Sequence, residues 1–166
     1  NALRTLIPML GDQGYDVVIC VTTDTGLARA NNLFGDTYEI TRFPLDFSFS
    51  IRRFLTRIKP TVVGLVELEV WPNLIGMCVK RDIPVLVING RLSERSFSRY
   101  TLVKLFLRRT FTRLTAIGMQ NESYAARVRE LGGNNVHVQG TMKWDNAIIK
   151  DSVEGAKALA KDLGID

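Results

Sequence analysis

The chain has little histidine and cysteine and no long apolar run. Its 166 residues include one histidine, His137, and two cysteines, Cys20 and Cys78. No apolar run approaches the roughly 20 residues that span a bilayer. His137 has no second histidine or cysteine nearby, so the sequence predicts no metal site. Both cysteines lie in apolar patterns, one of a strand and one of a helix, and are predicted to be buried small hydrophobic residues.

Several sequence motifs with a known chemistry are absent. There is no Gly-x-Gly-x-x-Gly and no Gly-Lys-Ser/Thr loop, which excludes a glycine-rich cradle for a nucleotide pyrophosphate or triphosphate. Gly-x-Ser-x-Gly and a Ser/His/Asp set are also absent, which argues against a hydrolase. No helix-turn-helix, zinc-finger or aromatic RNA-binding signature is present, so nucleic acid is not a predicted partner.

Short β-branched runs alternate with amphipathic segments along the chain. The pattern predicts helices at 2–10, 25–33, 48–58, 72–81, 95–111, 122–131 and 152–163, and strands at 15–22, 37–40, 61–66, 84–89, 114–119 and 135–139. This alternation is typical of right-handed βαβ units in one α/β domain, with a parallel sheet covered by helices on both faces. Because such domains normally open with a strand, we expect one strand to precede the first helix in a longer protein.

Basic charge is concentrated in the middle of the chain. Residues 42–113 contain 14 Lys and Arg against 5 Asp and Glu, whereas the segments on either side are slightly acidic. Much of the excess is arginine at 48–58 and 95–111, where large apolar residues are its neighbours. We predict solvated faces over a buried apolar stripe. The alternative is a basic, apolar surface for anionic lipid or a phosphorylated partner.

The segment after the third predicted strand combines two acids with a helix start. The apolar run 62–66 ends at Glu67 and Glu69, and Trp71-Pro72-Asn73 then opens a helix. An extended chain would project both glutamates from one face, near the positive end of that helix. The alternative is that one of the two carboxylates only caps the helix.

Polar residues follow each predicted strand, and the carboxyl ends of parallel strands share one edge of a sheet. These residues are Thr22-Thr23-Asp24-Thr25-Gly26, Glu67 with Glu69, Asn89-Gly90-Arg91-Leu92-Ser93, Gln120-Asn121-Glu122 and Gly140-Thr141-Met142-Lys143-Trp144-Asp145. Helix capping explains Ser93 and Asn121, but it requires neither Arg91 nor Lys143. Two acids and two cations at one edge favour acid/base and electrostatic chemistry on a sugar or phosphate ester.

Four of these motifs, in this order, closely resemble the 3-deoxy-D-manno-octulosonic acid (Kdo) transferases of lipopolysaccharide assembly. They are Val66-Glu67-Leu68-Glu69-Val70-Trp71-Pro72-Asn73-Leu74, Asn89-Gly90-Arg91-Leu92-Ser93, Gln120-Asn121-Glu122 and Gly140-Thr141-Met142-Lys143-Trp144-Asp145. The match also includes Thr22-Thr23-Asp24-Thr25-Gly26 and Phe43-Pro44-Leu45-Asp46, and it extends to about residue 147. Val66, Leu68 and Trp144 stand where the family usually has Met, Thr and Phe. These three positions flank Glu67 and Lys143.

The resemblance implies the acceptor-side, Rossmann-like amino-terminal half of a two-domain GT-B glycosyltransferase. Residues 1–150 would form that domain, with its first strand upstream. Residues 151–166 would form a helix leading toward a missing carboxyl-terminal domain that binds CMP-Kdo. The complete enzyme would transfer Kdo from CMP-Kdo to a hydroxyl of a lipid A precursor, with inversion and without a metal or cofactor. It would work at the cytoplasmic face of the bacterial inner membrane, and this fragment alone would be inactive.

The resemblance also implies roles for particular residues. Glu67 and Lys143 would stabilise the transition state, while the general base would be a glutamate upstream of Asn1. The acceptor pocket would be shaped by Glu69, Asn73, Arg91, Ser93, Asn121, Thr23 and Thr25. Two alternatives stay open: a non-catalytic Rossmann-like module that docks on an anionic membrane or a partner, and a GT-B transferase of different sugar specificity.

Overall fold

The protein is described here by a computed structural model that covers residues 3–142. Helices and strands alternate along this part of the chain, as the sequence predicts. The helices are α1 Leu6–Asp12, α2 Asp24–Phe34, α3 Ser48–Ile58, α4 Pro72–Val79, α5 Glu94–Leu102, α6 Lys104–Phe111 and α7 Glu122–Glu130, and the strands are β1 Val18–Val21, β2 Glu39–Arg42, β3 Val63–Val66, β4 Val85–Gly90, β5 Ala116–Met119 and β6 Val136–Val138. The helix predicted at 152–163 lies outside the described residues.

All strand pairs are parallel, which confirms the α/β class. Hydrogen bonding divides the strands into two sheets, β1-β2 and β3-β4-β5-β6. Val18 pairs with Glu39 in the first sheet, and Val63 pairs with Val85 in the second. Within residues 3–142, no strand pairs with the other edge of β1 or of β3. The one continuous sheet that the sequence predicts is therefore two sheets among the described residues.

Each sheet has its own hydrophobic cluster. The larger cluster packs the four-stranded sheet against α3, α4, α6 and α7. Its most deeply buried members include Ile51, Leu55, Leu74, Ile75, Phe111, Ile117, Met119, Val128 and Leu131. The smaller cluster consists of Ile7, Ile19 and Ala30, which join α1, β1 and α2. Burial of these side chains is the main stabilising contribution to the fold, and it fixes the strand ends on which the polar residues lie.

The single helix predicted at 95–111 is broken at Val103, where φ is −117° and ψ is 25°. Two hydroxyl groups in α5 donate hydrogen bonds to backbone carbonyl oxygens of the same helix. Ser98 Oγ donates to the Glu94 carbonyl oxygen at 3.0 Å, and Thr101 Oγ1 donates to the Ser98 carbonyl oxygen at 2.7 Å. Such bonds compete with the helical ladder and bend helices. The prediction of one continuous helix is therefore wrong.

The break creates an exposed apolar corner between α5 and α6. Leu102, Leu105 and Phe106 are 85%, 91% and 68% exposed, whereas Phe111 at the end of α6 is fully buried. The predicted buried stripe is thus confirmed at Phe111 and wrong at the corner, because the change of direction at Val103 turns these side chains away from the core.

The amino-terminus of α4 is capped from a distant loop. The Asp46 carboxylate, between β2 and α3, accepts the backbone N–H groups of Asn73 at 3.0 Å and of Leu74 at 2.9 Å. The Asn73 amide donates in turn to the Asp46 carbonyl oxygen at 2.6 Å, and Ser48 donates to Asn73 Oδ1 at 3.2 Å. Asp46 therefore satisfies two donors that a helix leaves unpaired at its start.

The two cysteines differ in their surroundings. Cys78 on α4 is fully buried, as predicted, and burial raises the pKa of its thiol to about 11, an effect that Arg81 partly opposes. Cys20 is exposed, so the prediction of burial is wrong for it. In β1 the side chain of Ile19 faces the smaller cluster, and the strand alternation directs Cys20 to the other side. Partial desolvation and the Glu39 carboxylate still raise the pKa of Cys20 to about 11.

Removal of the Asp46 carboxylate should destabilise the chain. We expect Asp46→Ala to lower the free energy of unfolding by about 1–2 kcal/mol, the usual effect of losing a helix cap. Urea unfolding followed by circular dichroism measures this change. Asp36→Ala is the matched control, because Asp36 is exposed and its carboxylate has no partner within residues 3–142. Equal stability of the two variants would contradict the capping role.

The thiols should react slowly and in a fixed order. At pH 8 we expect iodoacetamide to modify Cys20 in the folded chain on the order of 100-fold more slowly than an unperturbed thiol, because little thiolate is present. Its rate should rise about tenfold per pH unit until the pH approaches 11. Cys78 should react only after unfolding in denaturant. Mass spectrometry of the labelled peptides measures both rates, and equal labelling in the folded chain would refute this order.

Candidate functional site

The turn after β3 carries Glu67 and has an unusual backbone. Glu67 and Leu68 have φ values of 59° and 69°, in the left-handed region that residues other than glycine rarely adopt. Leu68 is buried in the larger cluster, and the Glu67 N–H donates to the Ile88 carbonyl oxygen at 3.1 Å. These contacts hold the turn in place and leave the Glu67 side chain exposed.

Two expectations about the paired glutamates are wrong. The chain is not extended from Glu67 to Glu69, because β3 ends at Val66 and the backbone turns at the next two residues. Neither glutamate caps α4, since Asp46 supplies the acceptors at its start. Both side chains are nevertheless exposed just beyond the end of β3.

Three predicted site residues have unpaired charges. Within residues 3–142, neither the Glu67 and Glu69 carboxylates nor the Arg91 guanidinium makes a hydrogen bond or ion pair. All three side chains are exposed. Other charges near the strand ends are paired, as Arg42 is with Asp24. The unpaired groups can therefore bind a ligand without first breaking an internal contact.

Glu67 also lines a cavity of about 190 Å³ at the edge of β1. Ile19 and Val21 of β1 form part of its wall, and Gly26 contributes the start of α2. Arg4 and Arg29 line the same cavity, so cations and the Glu67 carboxylate border one space. The cavity thus lies between β1, α2 and the turn after β3, whereas Thr22 and Thr23 of the turn after β1 do not line it.

Five other predicted site residues have structural contacts. Thr23, Ser93 and Asn121 cap α2, α5 and α7, accepting the N–H groups of Gly26, Ser96 and Tyr124 at 3.0, 3.3 and 2.9 Å. The Thr25 hydroxyl lies 3.4 Å from that of Thr23. Asn73 is bound to Asp46, as described above. A role of these side chains in substrate binding stays a prediction.

Asn89 joins three turns at the ends of β4, β5 and β6. Its carbonyl oxygen accepts the side-chain amide of Gln120 at 3.1 Å, and its Oδ1 accepts the Met142 N–H at 3.2 Å. The side chain of Arg127 donates to the Leu92 carbonyl oxygen at 2.8 Å and attaches α7 to the turn after β4. Sequence reasoning missed Asn89 and Asp46 as organising residues. The only local signal for Asn89 is its Asn-Gly step at the end of a strand.

Lys143, Trp144 and Asp145 lie outside the described residues. Within residues 3–142, no three His, Cys, Asp or Glu side chains cluster closely enough to hold a metal ion. No helix in that part of the chain is both long and apolar enough to cross a bilayer.

Comparisons with known proteins agree with the motifs. Residues 1–146 match the family model described as 3-Deoxy-D-manno-octulosonic-acid transferase (kdotransferase). A 3-deoxy-D-manno-octulosonic acid transferase of Haemophilus influenzae is 35% identical over 125 residues, which cover 74% of this chain and 29% of that protein. One of Bordetella pertussis is 31% identical, covering 99% of this chain and 40% of the relative.

A bifunctional glycosyltransferase/methyltransferase of Fusobacterium nucleatum is 33% identical over 90% of this chain and 24% of its own length. The chain therefore spans less than half the length of these relatives. The family match covers nearly all of the sequence and contains every strand-end motif described above. On this basis the chain belongs to the 3-deoxy-D-manno-octulosonic acid (Kdo) transferase family.

Proposed function

We propose that the chain is the acceptor-side half of a glycosyltransferase that transfers Kdo from CMP-Kdo to a hydroxyl of a lipid A precursor. One observation carries the proposal. Glu67 and Met142 are hydrogen-bonded to consecutive residues at the end of β4, Ile88 and Asn89. Met142 directly precedes Lys143 in the sequence. This arrangement supports a site in which an unpaired carboxylate and a lysine act on one substrate.

The proposed reaction has a simple charge requirement. The acceptor oxygen bonds to the anomeric carbon of Kdo, the bond from that carbon to the phosphate of CMP breaks, and the acceptor proton passes to a base. Positive charge develops on the sugar and negative charge on the departing CMP. The Glu67 carboxylate suits the first charge and the Lys143 ammonium the second. Attack from the face opposite the phosphate inverts the configuration, and the donor would bind to the part of the protein beyond this chain.

The apolar corner between α5 and α6 supports an acceptor that is a lipid. Leu102, Leu105 and Phe106 are exposed there, and Arg108 and Arg109 are exposed on the next turn of α6. Apolar side chains flanked by arginines bind the interface of an anionic membrane. We therefore propose that this corner holds the protein at the inner-membrane surface on the cytoplasmic side.

Removal of either charge should reduce the rate of transfer in the complete protein. We expect Glu67→Gln and Lys143→Ala each to lower kcat by about 10²–10³, the usual effect of losing an electrostatic contact made in the transition state. Transfer of labelled Kdo from CMP-Kdo to a lipid A precursor measures it. Glu39→Gln, an exposed glutamate on β2, is the control and should stay within about twofold.

Circular dichroism establishes that the variants are folded. Wild-type rates in both variants would refute the assigned roles. Transfer of a different sugar, with no transfer of Kdo, would instead favour the alternative specificity.

Loss of the apolar corner should weaken membrane binding. We expect Leu105→Ser combined with Phe106→Ser to lower the partition coefficient of the chain on phosphatidylglycerol vesicles by about tenfold or more, because two exposed apolar side chains that would enter the membrane interface are lost. Vesicle sedimentation measures the coefficient. Met9→Ser on α1 is the control, since Met9 is an exposed apolar residue elsewhere.

Arg108→Gln with Arg109→Gln should weaken binding to anionic vesicles and leave binding to neutral phosphatidylcholine unchanged. Unaltered binding in the Leu105 and Phe106 variant would contradict the membrane role of the corner. If a soluble acceptor sugar competes with vesicle binding, and this competition requires Glu67, the enzyme is favoured over a docking module. Vesicle binding that depends on lipid charge alone would favour the module.

A further inference from the structure

Asn89 is a buried polar residue with a left-handed backbone. It is 2% exposed and has a φ of 55°, a conformation that asparagine tolerates better than most residues. It lies in an irregularity of β4, where the register with β5 shifts between Val87 and Gly90. Such bulges redirect side chains next to functional sites. The bulge turns Asn89 out of the regular pairing and makes its side chain available to another segment.

That segment is the turn after β6. Gln139 N–H donates to the Met119 carbonyl oxygen at 2.9 Å, which is the last ladder-like contact of this strand. Gly140 follows with a φ of 80°. A Cβ atom added to Gly140 would have no other atom within 4 Å, so the backbone conformation and not crowding favours glycine here. The bond from Met142 N–H to Asn89 Oδ1 then returns the chain to the sheet. A hydrogen bond to a buried acceptor is costly to break, because the acceptor loses its partner without gaining water.

We propose that Asn89 is a positioning residue for the transfer reaction. Its Oδ1 accepts the Met142 N–H, and Met142 directly precedes Lys143 in the sequence. The role we assign to Asn89 is to hold this backbone so that Lys143 can act together with Glu67. The Glu67 N–H donates to the carbonyl oxygen of the neighbouring Ile88, so Glu67 and Met142 are both hydrogen-bonded to the end of β4. This inference rests on the proposed roles of Glu67 and Lys143.

The contact itself can be tested without activity. In Asn89→Gly the left-handed backbone is retained and the acceptor is lost. Asn89→Asp keeps an acceptor oxygen, and the amide nitrogen that it replaces donates no hydrogen bond within residues 3–142. Amide hydrogen exchange of the 166-residue chain should show about tenfold faster exchange at Met142 in Asn89→Gly and little change in Asn89→Asp.

Asn135→Gly is the matched control. Asn135 also has a positive φ, of 50°, but it precedes β6 at the opposite end of the strand. Its side chain donates to the Thr115 carbonyl oxygen at 2.8 Å, so its loss tests a general effect on the fold. Faster exchange at Met142 in Asn135→Gly, or unchanged exchange in Asn89→Gly, would overturn the proposed contact.

The role in catalysis is tested by a double-mutant cycle in the complete protein. Asn89→Gly should lower kcat by about 10–100-fold with KM within about threefold, because misplacement of a catalytic group affects the reacting state more than binding. Asn89→Asp should restore most of the rate. In the Lys143→Ala background, Asn89→Gly should change kcat by no more than about twofold.

The two proposals fail in different ways. If Lys143→Ala lowers kcat and Asn89→Gly still adds its full factor, Asn89 does not act through Lys143 and this inference is wrong, while the proposed function stands. If Lys143→Ala leaves kcat unchanged, the proposed role of Lys143 is wrong and the inference falls with it. Asn135→Gly should leave kcat within about twofold in either background.

Discussion

The end of β4 is the constraint on which the polar edge depends. Its last residues carry backbone oxygens that must be satisfied where the ladder with β5 becomes irregular. The Ile88 oxygen accepts the Glu67 N–H, and the Asn89 oxygen accepts the Gln120 amide. Asn89 Oδ1 accepts the Met142 N–H. The turns after β3, β5 and β6 are thus attached to the end of β4 by hydrogen bonds. These bonds hold the three turns at one edge of the sheet.

Polar residues at this edge fall into two groups. Thr23, Ser93 and Asn121 use their side-chain oxygens to cap helices, and Asp46 caps α4 from another loop. The charged groups of Glu67, Glu69 and Arg91 are left without partners in residues 3–142. This division is what a binding site needs: the satisfied residues hold the backbone rigid, and the unpaired charges are available to a ligand.

Local sequence patterns predicted most elements because burial and periodicity are local properties. The strands at Val63–Val66 and Val85–Gly90 and the helix Ser48–Ile58 lie close to where the alternation of apolar residues places them. The pattern failed at 95–111, where apolar periodicity continues through Val103 although the backbone of Val103 is not helical. It also failed for Cys20, because an apolar strand pattern does not show which face is covered.

By itself, the sequence determined the α/β class, the parallel pairing, the family and the positions at which charged residues follow strands. Each of these depends on residues that are near neighbours in the chain or on ordered motifs. Only the tertiary structure decided that Asp46 caps α4, that the backbone at Glu67 is left-handed and that Asn89 holds Met142. The partners in the two side-chain contacts are 27 and 53 residues apart. No local pattern encodes such a pair, because it forms only when the packed core has brought the strand ends to one edge.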